Sequence, residues 1–262
     1  MAGNSQIQGQ SVASKLVRIL ELFTADQPRL RASDVCRRSG LPFSTVHRLL
    51  AELAGSGVLH RSPEGTYAVG IRLWQLAASH PQLRSLRACA LPAMSALYAS
   101  AHASVFLLVL VGDEALCIEE IRRPDDDGVR YGTRFPLRAT AGGHVLLAYA
   151  EIRTLTGPRP VGERLPSDER VQQIMRIRRD GVAVSTVADR LAVAAPVFGG
   201  AGSVVAAVEI VASPRADPAT LARAVRRAAA DTTAGLATPI RPVGTANGYP
   251  LSGYDLDGRT AS

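Results

Sequence analysis

The sequence predicts an α/β two-domain chain: an N-terminal winged helix-turn-helix, a linker helix and a C-terminal α+β domain. Three observations carry this reading. Apolar residues recur at helical spacing in quick succession near the start, with a glycine between the second and third helices. A short strand–turn–strand pattern follows at once. Beyond residue 100 the pattern changes to apolar, β-branched runs separated by turns and helices.

In the first domain, Leu16, Ile19, Leu20 and Phe23 fall at i, i+3, i+4 and i+7, one apolar helical face. A polar break at 25–29 ends that helix. A second helix is expected over 32–39, with Val35 and Cys36 inward. Gly40 stands where a left-handed residue closes a helix, and Pro42 suits the first position of the next. Val46, Leu49, Leu50 and Leu53 repeat the helical spacing. Cys36, Gly40, Val46 and Leu49 together meet the packing demands of a helix-turn-helix: a small residue at the turn, a glycine four on, then a β-branched and a leucine side chain. Val58 and Leu59, a turn through Pro63 and Gly65, and Thr66 to Val69 read as a hairpin wing.

The linker reads as residues 71–84, helical over 71–79 and ending before Pro81. A further helix is expected over 86–100. Strands are expected at 105–111 and 115–121 as a hairpin, at 130–136, 182–187, 191–198 and 203–210. Residues 125–128 read as an exposed loop. Helices are expected at 141–150, 171–179 and 217–236, the last capped by Asp217-Pro218. The first domain thus spans 11–70 and the C-terminal one 85–238. The Gly-, Pro-, Thr- and Ser-rich tail, 239–262, reads as disordered.

Charge narrows the function. The chain carries a formal net charge of +7, and Lys15 is its only lysine. Arginine forks onto phosphate and guanine, which suits nucleic acid, although a genome-wide compositional bias would give the same count. Residues 1–80 carry 9 Arg and Lys against 5 Asp and Glu, so the surplus is denser in the first domain. The three cysteines, Cys36, Cys89 and Cys117, form no CxxC pair, so no structural zinc or other metal site is expected. The N-terminus lacks an apolar signal core and no run is long enough to span a bilayer, so no membrane partner and a cytoplasmic setting are expected. No GxSxG, P-loop or triad is present, which argues against an enzyme and against a cofactor.

A recognition helix enters the major groove by its N-terminal turn. The outward residues there are Phe43, Ser44, Thr45, His47 and Arg48. Ser44 and Thr45 suit phosphate or base edges. Arg48 suits guanine or a phosphate, and Arg61 on the wing suits a phosphate. The expected partner is a double-stranded DNA operator.

The stretch from Gly40 to Leu50 (GLPFSTVHRLL) resembles the recognition-helix signature of the IclR family of bacterial regulators, and Tyr67 to Leu73 resembles that family's wing end and linker start. Gly132 to His144 and Ala194 to Phe198 resemble its effector domain, so the resemblance covers residues 11–236. It implies a GAF-like effector-binding domain that takes a small organic acid or aromatic metabolite, and a homodimer or homotetramer on a palindromic operator. By residue-wise matching it implies effector contacts at Ala141, Gly142, Ser185, Ala192, Glu209 and Val211. Small residues at the start of the helix from Thr140 would offer amides to an anion, or would simply form a tight turn. The chain departs from the family pattern at Phe43, where lysine or another polar residue is usual, at His144, where lysine is frequent, and at Glu209 and Val211, where serine or threonine is frequent.

Glu209 stands in an apolar strand, and a buried carboxylate needs a partner. Arg138 or a ligand amine would serve. If Glu209 lines the pocket it repels a simple carboxylate; on an edge strand it would point outward. A regulator that has lost its ligand and signals through protein contacts is the alternative function. A sulfoxide-reducing GAF-type enzyme is disfavoured because Cys89 and Cys117 lie on unrelated elements.

Overall fold

The computed structural model describes residues 11–24, 27–126, 131–150, 168–187 and 189–236. The chain divides into two compact units between Arg84 and Ser85. The expected tail at 239–262 and residues 127–130 lie outside the described residues.

In the first unit, α1 (Val12–Leu20) starts at Ser11, whose hydroxyl accepts from the Ser14 amide. α2 (Ala32–Ser39) ends at Gly40, which is left-handed at φ 66° and donates its N–H to the Cys36 carbonyl. α3 (Phe43–Gly55) follows, with Pro42 as its N-cap rather than its first helical residue. Val35, Val46, Leu49, Leu50 and Leu53 are buried, joined by Ile19, Leu30, Leu59 and Tyr67, and Cys36 packs against them. The four residues that set the helix-turn-helix register therefore sit where their packing demands place them.

The wing has one strand more than expected. β1 (Arg29–Arg31), β2 (Leu59–Arg61) and β3 (Thr66–Val69) form a sheet of order β1-β3-β2. Residue 29 falls in the polar break of the sequence, and three residues with Leu30 alone buried are too short to show a period of two. α4 (Ile71–Ala78) is the expected linker helix and buries none of its residues within this unit.

α5 (Pro81–Ala101) begins five residues before the expected 86, because proline at a helix's first turn needs no N–H partner. In the second unit it buries Leu86, Ala90, Met94 and Leu97. β4 (Ser104–Val111), β5 (Glu114–Ile121), β6 (Arg134–Pro136), β7 (Ala183–Val187), β8 (Arg190–Phe198) and β9 (Val204–Ala212) form one antiparallel sheet of order β6-β5-β4-β9-β8-β7. α6 (Ala141–Tyr149) covers one face, packing on Phe106, Leu108, Ala192, Ala194 and Ala207. α7 (Asp168–Asp180) packs beside α6 and begins before the expected 171. The alternate residues Leu107, Val109, Val193, Val208 and Ile210 are equally buried on the other face, where α8 (Pro218–Gly235) lies on β8 and β9. Burial on both faces explains why β4, β8 and β9 read as continuous apolar runs rather than as alternation.

Gly70 joins wing to linker helix. Its N–H donates to the Val58 carbonyl at 2.8 Å, and a Cβ on it would stand 2.2 Å from the Gly57 carbonyl oxygen. Both neighbours are backbone and cannot rotate away. Gly70→Ala is therefore expected to destabilise the first unit by about 1–3 kcal/mol, the usual cost of overpacking, measured by urea denaturation with wild type alongside.

Candidate nucleic-acid interface and effector site

α3 presents two opposed faces. Its inner face is the apolar core just described, and its outer face carries Phe43, Ser44, His47 and Arg48, all exposed, with Thr45 half-buried. Arg48 Nη1 pairs with Glu52 Oε1 at 2.7 Å, one turn along the same helix. Phe43 and His47 have ring centroids 6.0 Å apart, tilted by 32°. On the wing, the Arg61 guanidinium stands 5.8 Å from the Tyr67 ring centroid, and the Ser62 and Thr66 hydroxyls bond at 2.8 Å across the turn. β1 adds two cations that sequence reasoning missed. Arg29 and Arg31, both exposed, pair with Ala68 and Thr66 of β3. The expected site residues thus lie on two elements of one unit, α3 and the wing.

In the second unit, α6 starts at Thr140, whose hydroxyl accepts from the Gly143 amide at 2.9 Å. The next donors back belong to Glu209. Its Oε2 accepts from the Gly142 amide at 2.8 Å, and the Ala141 amide also donates to the carboxylate. Two expectations are corrected here. β9 lies between β4 and β8, so Glu209 is neither on an edge strand nor outward. The partners of its carboxylate are these main-chain amides, whereas Arg138 lies exposed. A Cβ on Gly142 would stand 2.8 Å from Glu209 Oε2 and 2.5 Å from Leu108 Cδ1, so glycine is what lets the carboxylate close on the helix. The anion position at the start of α6 is therefore filled by the chain's own carboxylate.

Sheet register places the other expected residues nearby. Ser185, Ala192 and Val211 pair across β7, β8 and β9 in one row, and Ala183, Ala194, Glu209 and Phe106 form the next. Both rows lie on the face that α6 covers. His144 stands one turn into α6, half-buried. Burial holds its imidazole below the ordinary histidine range, and the Arg138 backbone carbonyl acts in the opposite sense. His144 Nδ1 and Ser185 Oγ are buried and make no hydrogen bond among the described residues. Glu120 extends the Glu209 row beyond Phe106 and was missed from sequence. Its Oε1 pairs with Arg122 Nε at 3.3 Å, while its Oε2 is buried and makes no hydrogen bond among the described residues. Burial pushes the nearby Cys117 thiol up to about 12, with Glu120 adding to the rise. A cleft of about 500 Å³ lies near the start of α8, lined by His102, Arg123, Arg190 and Asp217, and none of the expected effector residues line it.

A winged helix-turn-helix unit followed by an antiparallel sheet domain defines a two-domain regulator architecture. The chain belongs to the IclR family. Residues 12–63 match the IclR helix-turn-helix domain, and residues 82–233 match the C-terminal domain of the bacterial transcriptional regulator IclR. An IclR homologue from Microbacterium hydrocarbonoxydans, solved with 4-hydroxybenzoate, is 28% identical, with a TM-score of 0.76 over 86% of this chain and 99% of that one. A transcriptional regulator structure from Rhodococcus sp. RHA1 is 26% identical, with a TM-score of 0.66 over 86% of this chain and 97% of that one. The glycerol operon regulatory protein of Streptomyces griseus is 32% identical over 134 residues, 50% of this chain and 53% of that protein. The match thus spans about half the length of such curated relatives. Among the described residues, no helix is long and apolar enough to cross a membrane.

Burial pushes the Glu209 carboxyl up to about 7, against the pull of the two amides. A folded-state value raised above the unfolded one contributes stability that is present below about pH 4.5 and is lost as pH rises through 7. Between pH 5 and 8, Glu209 is expected to account for a loss of about 2.5 kcal/mol. Glu209→Gln keeps an acceptor for Gly142 and removes the titration. Paired urea melts at the two pH values should therefore show a smaller loss in the variant than in wild type.

Proposed function

We propose that this chain is a metabolite-responsive operator-binding regulator that acts in the cytoplasm. The observation that carries this reading is the outer face of α3, exposed beside an arginine-bearing wing in the more basic unit. Phe43, Ser44, Thr45, His47 and Arg48 are assigned to the major groove, and Arg61 to a phosphate, with Arg29 and Arg31 adding charge at the wing. The Arg48–Glu52 pair does not oppose this. An exposed i,i+4 pair is worth well under about 1 kcal/mol, whereas a bidentate contact to guanine discriminates by roughly 1–3 kcal/mol. Arg48 exchanges the weaker partner for the stronger.

The regulator binds as a homodimer, or as a homotetramer built from it. α4 leaves Ile71, Trp74 and Leu76 exposed, with Trp74 at 66%, and Val12, Val17 and Val69 add apolar surface in the same unit. A helix with no buried face is completed by a second copy. Two-fold symmetry then matches a palindromic operator.

The effector is assigned to the residues at the start of α6 and along the two cross-strand rows: Arg138, Ala141, Gly142, His144, Ser185, Ala192, Glu209 and Val211. Because Glu209 already occupies the α6 amides, the favoured effector carries a hydrogen-bond donor or a positive charge rather than a small carboxylate. Glu120, Ser185 and His144 offer further polar contacts. The second reading, signalling through protein contacts alone, is favoured by one observation: the Ala141, Gly142 and Gly143 amides are all satisfied internally.

Thermal shifts separate the two. Neutral or cationic aromatics should stabilise wild type, by about 2.7 kcal/mol at a hundredfold excess over Kd, while 4-hydroxybenzoate and small carboxylates should not. In Glu209→Ser that preference should reverse. Silence across both sets in both proteins favours the ligand-independent reading. For DNA, Arg48→Ala should weaken the selected operator by roughly 1–3 kcal/mol and leave random-sequence affinity unchanged in fluorescence anisotropy. Arg61→Ala should weaken both and lower the salt slope by about 0.9 for each subunit bound, about 1.8 for a dimer. Unchanged affinity in both variants would discard the interface.

A further inference from the structure

Phe43 is the first residue of α3 and is 64% exposed. It is absent from the core cluster of its unit, which draws on Val46, Leu49, Leu50 and Leu53 from the same helix. Its aromatic neighbour is His47, one turn on along the outer strip. The first turn of α3 holds no acidic residue, and its other outward side chains are the short hydroxyls of Ser44 and Thr45. A large apolar ring thus projects from the turn that leads a recognition helix into the groove, with a second ring beside it to limit its swing.

Phenylalanine offers no donor or acceptor, so it contributes nothing to a phosphate or to a polar base edge. In the major groove, the one apolar group that the four standard bases present is the C5-methyl of thymine. We propose that Phe43, braced by His47, is a specificity-determining residue that selects thymine at the operator position facing the first turn of α3, by packing on its C5-methyl. The inference rests on the assignment of α3 as the DNA-reading helix. It makes this position a methyl reader, where a lysine would hold a phosphate. Cytosine, which lacks the methyl, is disfavoured there, and 5-methylcytosine, which carries it at the same carbon, is partly accepted.

The test uses the full-length chain and a random duplex library. Bound duplexes are separated by gel shift and sequenced for wild type and Phe43→Ala. Wild type should enrich thymine at two symmetry-related positions, and Phe43→Ala should lose that preference while keeping the rest of the site. Replacing thymidine by deoxyuridine at those positions removes only the methyl. Burying one methyl is worth about 0.8 kcal/mol, so wild type should lose about fourfold in affinity for each position replaced and about fifteenfold for both, and Phe43→Ala should not change. Placing 5-methylcytosine there should bind wild type more tightly than cytosine does. With so exposed a side chain, circular dichroism melts of the variant should match wild type.

Deoxyuridine tolerated by wild type, or a thymine preference that survives in Phe43→Ala, overturns the role of Phe43 and leaves α3 as the reading helix. A variant that keeps the preference but elutes as a smaller species in gel filtration likewise overturns it, making Phe43 a contact between copies. A library from which wild type enriches nothing overturns operator reading itself, and the methyl contact with it.

Discussion

The second unit is organised around one requirement: a carboxylate buried in the middle of a sheet has to be satisfied. Glu209 lies on β9, with a strand on each side and α6 overhead, so neither solvent nor an edge is available. The amides of Gly142 and Ala141 meet the need, aided by the positive end of the helix dipole. The small residues around it follow from this. Gly142 leaves room for Oε2, and a Cβ on Gly143 would stand 2.2 Å from the Leu137 carbonyl oxygen. Ala192, Ala194 and Ala207 keep the sheet surface low enough for α6 to come down onto it. The carboxylate, the glycines and the alanines act as one arrangement, and changing any of them moves the others.

The first unit follows a different logic. Its core is wholly apolar, and the placement of α3 depends on Val46, Leu49, Leu50 and Leu53, none of which faces outward. The residues assigned to DNA make few contacts with that core. Phe43, Ser44, His47 and Arg48 can therefore change without disturbing the helix that carries them. Glu209 has no such freedom, because the group that sets the chemistry beneath α6 also holds α6 in place. The outer surface of α3 is thus separable from the core beneath it, whereas the chemistry under α6 is tied to stability.

Legibility in the sequence tracked the length of the pattern. Helices α1 to α3 and the turn at Gly40 showed in helical spacing because each buries one face over two turns or more. Strands β4, β8 and β9 showed as apolar runs because both their faces are covered. β1 did not, since Leu30 alone is too little period to detect, and the cations Arg29 and Arg31 were missed with it. The start of α5 was placed late because Pro81 reads as a stop as readily as a first residue. The site under α6 was legible only in part. Glu209 stood out as a charge in an apolar strand, yet its partner could not be read. Main-chain amides carry no sequence signature, and Arg138 was the charged residue that a sequence offers instead. Glu120 escaped notice because strand β5 carries two adjacent acids, and only register shows that it shares the Glu209 row.

Family membership and these departures bear on different things. The IclR match covers the framework: the helix-turn-helix, the wing and the six-stranded sheet. At Phe43 an exposed apolar ring opens α3, and at Glu209 a buried acid accepts from an amide at the start of α6. Each residue sets what its position presents, an apolar ring in one unit and a carboxylate already held by a helix amide in the other. Phe43 lies outside the core of its unit, whereas Glu209 is bound into the packing of α6 on the sheet. Agreement of backbones therefore leaves the chemistry of these two positions to be read from the side chains themselves.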